Sequence, residues 1–297
     1  MGTTTISLND YDIYSYYNNE PVPNPVRSPL AKYIYIADII KKAAEQEQDY
    51  QNKNSRLFFR GQADSSLDVK PHVFRNNYIS VEHELIRSAI SHNPNLFSNT
   101  SHFSQLSTLQ HYGLPTRLLD VTYSPLVALY FACDKEKDKD GAVYVAVAVP
   151  FLPESIEIKI LAYLATVDLE KIDPNEIRSS LSERKLIDFI NEMAYYDELY
   201  KMTKSHFVTA DMSNERIIRQ SGSFLLCGCI NIEIETNGKK MYKIREDQQN
   251  KFFVKILIDA NEKNRILEEL DFVNINESTL FPEFEHQTNY VKQKVLQ

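Results

Sequence analysis

The stretch Gln110–Cys133, QHYGLPTRLLDVTYSPLVALYFAC, sets His111, Tyr112, Arg117 and Asp120 around Gly113 and Pro115, then turns apolar. These side chains are suited to work in a site. A histidine titrates near neutrality and can act as a general base. A guanidinium grips phosphate or carboxylate with a planar fork. A carboxylate can orient either group. Earlier, RLFFRGQ places Arg60 at the end of a run of strand formers with Gly61 directly behind it, which aims the guanidinium into any space the sheet edge opens. NERIIRQSGSFLL (214–226) holds Arg216, Arg219 and Gln220 ahead of a glycine-flanked serine, where Gly222 permits close backbone approach. STLFPEFEHQTNYVK (278–292) adds Glu283 and Glu285 beside Phe281, Pro282 and Phe284.

Each feature also has a plainer reading. Arg60 can be a surface arginine paired with a nearby acid. His111 falls in the last turn of a helix, where the dipole favours a cation. Arg117 and Asp120 can form an internal salt bridge that braces a turn, Gly222 can mark a bulge at a strand start, and Phe281 with Phe284 can serve packing alone.

The elements that must position these groups follow from periodicity and punctuation. RLFFRGQ (56–62) and GAVYVAVAV (141–149) read as strands, the second apolar on both faces and so central. GSFLLCGCINIEIE (222–235) and KFFVKILI (251–258) read as further strands. Helices are predicted over 34–48, over 80–92 with Ser80 as cap, over 101–112, and from Thr122 or Ser124 with Pro125 at the first position. A long helical stretch covers 174–204, with Ile177, Leu181, Leu186, Ile190 and Met193 on one face, and NEKNRILEELDF adds another helix. The proline-rich, tyrosine-rich segment 1–32 reads as a mostly irregular arm. The expectation is one α+β domain over 33–297 with a helical insertion at about 155–210.

At 297 residues, 43% hydrophobic and 25% charged, the chain can bury a sizeable core. A net charge of −8 argues against broad, salt-driven nucleic-acid binding. Cys133, Cys227 and Cys229 lack a second ligand pair at zinc spacing, so buried thiols are expected and no metal site. Cysteine usage and the N-terminal composition point to a reduced, cytoplasmic protein, and no apolar run reaches the roughly 20 residues of a membrane helix.

The four constellations in this order resemble the FRG domain family, named for the Phe-Arg-Gly found here as Phe59, Arg60 and Gly61. Its central signature, Q-H-(Y/F)-G-L-P-T-R-L-L-D, runs unbroken from Gln110 to Asp120, and the following helix matches from Thr122 to Ala132. The later R..Q.G.F element matches Arg216, Gln220, Gly222 and Phe224, and the LFPEF ending also resembles the family. Val121 departs from a more usual aromatic residue. The family resemblance implies a bacterial or phage setting beside defence or toxin genes. A weaker resemblance to the ADP-ribosyltransferase fold implies a split mixed or antiparallel sheet that binds NAD as substrate. Arg60, Gly61, Tyr112, Arg117, Thr122 and Ser124 would then contact the dinucleotide, and His111, Asp120, Glu215 and Gln220 would form the catalytic set. That fold's E-x-E strand is not matched, because Gln220 and Gly222 stand in place of its two glutamates. Asp120, Glu215 and Glu283 are the candidate replacements. The expected activity is NAD-dependent ADP-ribosyl transfer to a protein or nucleic-acid acceptor, or NAD hydrolysis. The alternative is a non-catalytic module that senses a nucleotide or a protein; a metal-dependent phosphoryl-transfer enzyme lacks its carboxylate cluster.

Overall fold

The computed structural model describes residues 3–10, 16–17, 20–21, 28–46, 54–168, 174–183, 204–210, 214–236, 239–246 and 251–296. Seven strands share one mixed sheet: β1 (Thr4–Ser7), β2 (Arg56–Gln62), β3 (Leu118–Thr122), β4 (Gly141–Ala148), β5 (His206–Thr209), β6 (Gly222–Leu226) and β7 (Val254–Ile258). Their order across the sheet is β1-β7-β4-β2-β3-β6-β5, with β1 parallel to β7 and every other pair antiparallel. The α+β class expected from the sequence is the class observed.

The helices are α1 (Pro29–Gln46), α2 (Glu82–His92), α3 (His102–His111), α4 (Pro125–Cys133), α5 (Ile156–Leu164), α6 (Pro174–Glu183), α7 (Glu215–Arg219), α8 (Lys263–Phe272), α9 (Glu277–Leu280) and α10 (Phe284–Leu296). Ser101 and Ser124 cap α3 and α4, each hydroxyl accepting from a backbone N–H of the first turn. Gly113 then ends α3 in the left-handed region at φ 88°, a conformation glycine adopts without penalty.

Two helical groups cover one face of the sheet. α1, α4 and α8 pack on Phe59, Val143, Val145, Val254 and Ile256. α2, α3 and α5 pack on Leu118, Val208, Phe224 and Leu226. Strand register places these residues on the same side, since Phe59 faces Thr122 and Asp120 faces Phe224. The other side carries Phe58, Leu119, Val121, Tyr144, Phe207 and Leu225, with Phe252 packed among them.

The sheet has one weak seam. β2 and β4 stay in register over all seven residues of β2, whereas β2 and β3 meet only at Phe59 and Thr122. Beyond that pair the two strands part. The two helical groups diverge over the same line, so the seam opens on the helix-covered face.

Several expectations are corrected here. Residues 118–122 form a central strand rather than a short connection, because LLDV buries Leu119 and Val121 on one face and Leu118 on the other. His206–Thr209 is an edge strand within the stretch read as helical. The 222–235 run breaks after Leu226, and Cys229–Thr236 pairs with Lys239–Glu246 as a separate hairpin. Thr4–Ser7 is a sheet strand inside the supposedly irregular arm, and α1 begins at Pro29 rather than near Ile34. Ser80 does not cap α2: it lies in a 3₁₀ turn, its hydroxyl bonded to the Asn77 carbonyl, and the N-cap Val81 offers no side-chain acceptor. Leu186, Ile190 and Met193 lie outside the described residues.

Candidate functional site

The parting of β2 from β3 creates a cleft of about 930 Å³, inside the range of roughly 300–1,000 Å³ usual for small-molecule sites. Its floor is Arg60–Gln62 and Asp120–Thr122. One wall is the end of α3 with Gln110 and His111, and the other is α4 with Val127, Tyr130 and Phe131. Arg216, Gln220, Phe281 and His286 close the far side, and Asp64, Arg75 and Lys139 line the opposite end.

Gly61 explains how α4 can form a wall so close to the strand. A Cβ at this position would lie 1.9 Å from the Ala128 carbonyl oxygen and 2.7 Å from the Ala132 nitrogen. Both partners are backbone, so no side-chain movement relieves the contact. Gly61 thus lets helix and strand meet backbone to backbone, beside the arginine.

Arg60 alternates with Gly61 and starts from the opposite side of the sheet. The gap lets its side chain run toward β3, where Nη1 donates to the Asp120 carbonyl oxygen at 2.6 Å. Its Nε is buried and has no hydrogen-bond partner among the described residues. Burial pulls the guanidinium below its usual pKa; the Asp120 carboxylate opposes that shift and nearby Arg75 adds to it. Two guanidiniums are therefore close enough to repel at one end of the seam, an arrangement an anion would relieve.

Asp120 is exposed in the cleft and held from behind. Gln110 Nε2 donates to its Oδ1 at 2.7 Å, and Thr116 Oγ1 donates to Gln110 Oε1 at 2.5 Å. This chain fixes one carboxylate oxygen and leaves the other facing the cleft. Its presumed partner was Arg117 or His111, and the structure corrects both. Arg117 is 1% exposed and forms a two-pronged ion pair with Glu82 of α2: Nε donates to both carboxylate oxygens at 3.0 and 3.1 Å, and Nη2 donates to Oε2. It lies outside the cleft, so the structure does not bring it to the other candidates.

The remaining candidates separate clearly. His111 is exposed at the rim, its ring edge-on to that of Tyr112 at 5.2 Å, and Tyr112 is largely exposed without lining the cleft. Thr122 lines the floor, but its hydroxyl donates to the Gln220 carbonyl at 2.7 Å and accepts from the Ser124 N–H at 2.9 Å. Ser124 is occupied as the α4 cap. Gln220 reaches the cleft while its Nε2 donates to the Leu280 carbonyl at 3.2 Å. Glu215 points elsewhere and pairs with Arg219 at 2.5 Å. Of the three candidate replacement carboxylates, Asp120 alone lines the cleft; Glu215 and Glu283 do not.

Arg75, Gln62, His286 and Glu277 escaped the sequence reading. Arg75 contributes positive charge beside Arg60. Gln62 is buried: its Nε2 donates to the Asp64 and Leu67 carbonyls at 2.9 and 2.7 Å, and its Oε1 has no donor among the described residues. At the far wall Arg216 lies 4.8 Å above the Phe281 ring, which stacks on His286 at 4.3 Å. Glu277 Oε1 holds His286 Nδ1 at 2.6 Å. The LFPEF ending reads as packing, with Glu283 and Glu285 as candidate carboxylates; Phe281 lines the cleft and the two glutamates do not.

The fold and site define an α+β protein whose mixed sheet parts over a charged cleft, with a carboxylate held by Gln110 beside Arg60. Residues 55–141 match the FRG domain model, and this stretch of the chain is an FRG domain. It runs from the residue before β2 to the first residue of β4, and so contains Arg60, Gly61, Arg75, Gln110 and Asp120 together with all of α4. Arg216 and Phe281 fall outside it. No curated protein and no solved structure matches the chain. Among the described residues, no helix is long and apolar enough to cross a membrane.

Proposed function

We propose that the cleft binds a dinucleotide, NAD, and cleaves its nicotinamide bond, passing ADP-ribose to water or to a macromolecular acceptor. The observation that carries this reading is the seam itself: a carboxylate with one free oxygen fixed between strands, next to two guanidiniums, in a cleft large enough for a nucleotide. Arg60 and Arg75 supply the charge for the pyrophosphate. Asp120 supplies what the missing E-x-E strand would have supplied, a fixed negative charge for the cationic ribose as nicotinamide leaves. His111, at the rim, is placed to take a proton from an acceptor. An activity of this kind fits a defence or toxin component, the setting the family resemblance implies.

Incubating the protein with labelled NAD and a cell lysate, and quantifying free nicotinamide and labelled macromolecules, tests the reading. Arg60→Ala should abolish nicotinamide release. Asp120→Asn should slow it by about 10²–10³-fold while NAD still binds. Undiminished release from folded Arg60→Ala protein would sink the proposal.

A second reading, a nucleotide-sensing module without chemistry, is favoured by Gln220 and Gly222 at the start of β6, where no carboxylate stands. NAD binding with no release over long incubation would select it.

A further inference from the structure

α10 presents an apolar stripe that stays exposed among the described residues. Phe284 is 77% exposed, Val291 58% and Val295 77%, with Leu296 beside them at 74%. The helix is anchored by a different face: His286 bonds to Glu277, and Tyr290 and Lys294 both bond to Asp271. These anchors recur every fourth residue. The stripe at 284, 288, 291 and 295 recurs at spacings of four and three, lies about a third of a turn away, and forms the seam of a two-helix coiled coil. Exposed aliphatic and aromatic side chains on one helical line are a surface in search of a cover.

We propose that this cover is the same helix of a second copy of the chain, packed antiparallel about a two-fold axis through the helix midpoint. The charges select this occupant and this direction. In the antiparallel arrangement Phe284 packs on Val295 of the partner subunit and Thr288 packs on Val291 of the partner subunit, and two-fold symmetry repeats both layers. Glu285 flanks the stripe on one side. In this register it meets Lys292 of the partner subunit, and Lys292 meets Glu285 of the partner subunit, giving two opposite-charge contacts. On the other side Gln287 meets Lys294 of the partner subunit, which creates no like-charge contact. A parallel pair would set Lys292 against Gln287 of the partner subunit and would leave Glu285 without a basic neighbour across the interface. The self-complementary order, acid before the midpoint and base after it on the same flank, is what an isologous contact requires.

The helix is 13 residues long, about 20 Å at 1.5 Å per residue. The interface is therefore small and the dimer concentration-dependent. Phe281, just before the helix, and His286, on its anchored face, wall the cleft, so pairing through the stripe sets two clefts on one assembly without covering either residue.

Sedimentation equilibrium of the whole protein tests the proposal. The parent should show a monomer–dimer equilibrium. Val291→Asp should raise its dissociation constant at least about tenfold, and its thermal midpoint should hold because Val291 touches no core cluster. Lys292→Glu should weaken the dimer by opposing like charges twice, and Glu285→Lys combined with Lys292→Glu should restore it. A parent that remains monomeric up to about 1 mM overturns the proposal. So does a dimer unaffected by Val291→Asp, or a double charge reversal that fails to recover what the single one lost.

Discussion

Arg117 allows the sharpest separation of a fold role from a ligand role, because the resemblance to a nucleotide-binding fold would assign it to the ligand and the structure assigns it to the core. Both members of the Arg117–Glu82 pair are buried, with side chains 1% and 3% exposed. Replacing Arg117 by Met strands a carboxylate in the interior, which costs about 3–5 kcal/mol. The cost should fall at the lower end, because Glu82 is the first residue of α2 and its charge faces the unpaired N–H groups of that helix start, worth about 0.3–1 kcal/mol. Glu82→Leu removes the carboxylate from the same buried pair and should destabilise as well. At roughly 2–4 °C per kcal/mol, Arg117→Met should lower the melting midpoint by about 6–20 °C. The double variant Arg117→Met/Glu82→Leu should recover much of the loss, because an apolar pair of similar volume carries no buried charge. Circular-dichroism melts of the four proteins supply the cycle, and nicotinamide release measured well below each midpoint supplies the control. An Arg117→Met protein with an unchanged midpoint and no activity would refute the argument and return this residue to the ligand.

Two further predictions concern the cleft floor and its charged end. Gly61→Ala forces a methyl group into the backbone of α4, so its cost should reach or exceed the top of the roughly 1–3 kcal/mol range for overpacking; a denaturant midpoint indistinguishable from the parent's would show that α4 does not sit this close. The hydrogen bonds from Lys139 and then Ser66 hold the Asp64 carboxyl down at about 2, against an ordinary value of 3.8. A carboxyl depressed on folding contributes stability above its unfolded pKa and loses it as pH falls through the folded one. The acid limb of the stability profile should thus steepen between about pH 3.8 and 2, and Asp64→Asn should flatten that limb. Identical acid limbs in the two proteins would remove Asp64 from the account.

What the sequence disclosed and what it hid divide along contact range. β4 declared itself because a run buried on both faces needs no partner to be recognised, and α3 and α4 did so because their caps are local: Ser101 and Ser124 before, Gly113 after. Arg60 and Gly61 were legible for the same reason, a cation and a glycine at the end of a short run of strand formers. β3 was hidden because Asp120 interrupts its apolar alternation, and only pairing with β6, a hundred residues on, makes it a strand. β1 was hidden likewise, as a polar edge segment whose partner β7 lies some 250 residues away. The exchange of partners within the signature has the same origin. Arg117 and Asp120 look like a pair at three residues' spacing, yet Arg117 precedes β3 and is taken by Glu82 of α2 instead. Arg117 is thereby held in the buried core beside α2, while Asp120, within β3, lines the cleft. No spacing within the signature could show this, because Glu82 lies 35 residues before Arg117 and only the packing of α2 against β3 brings the two together.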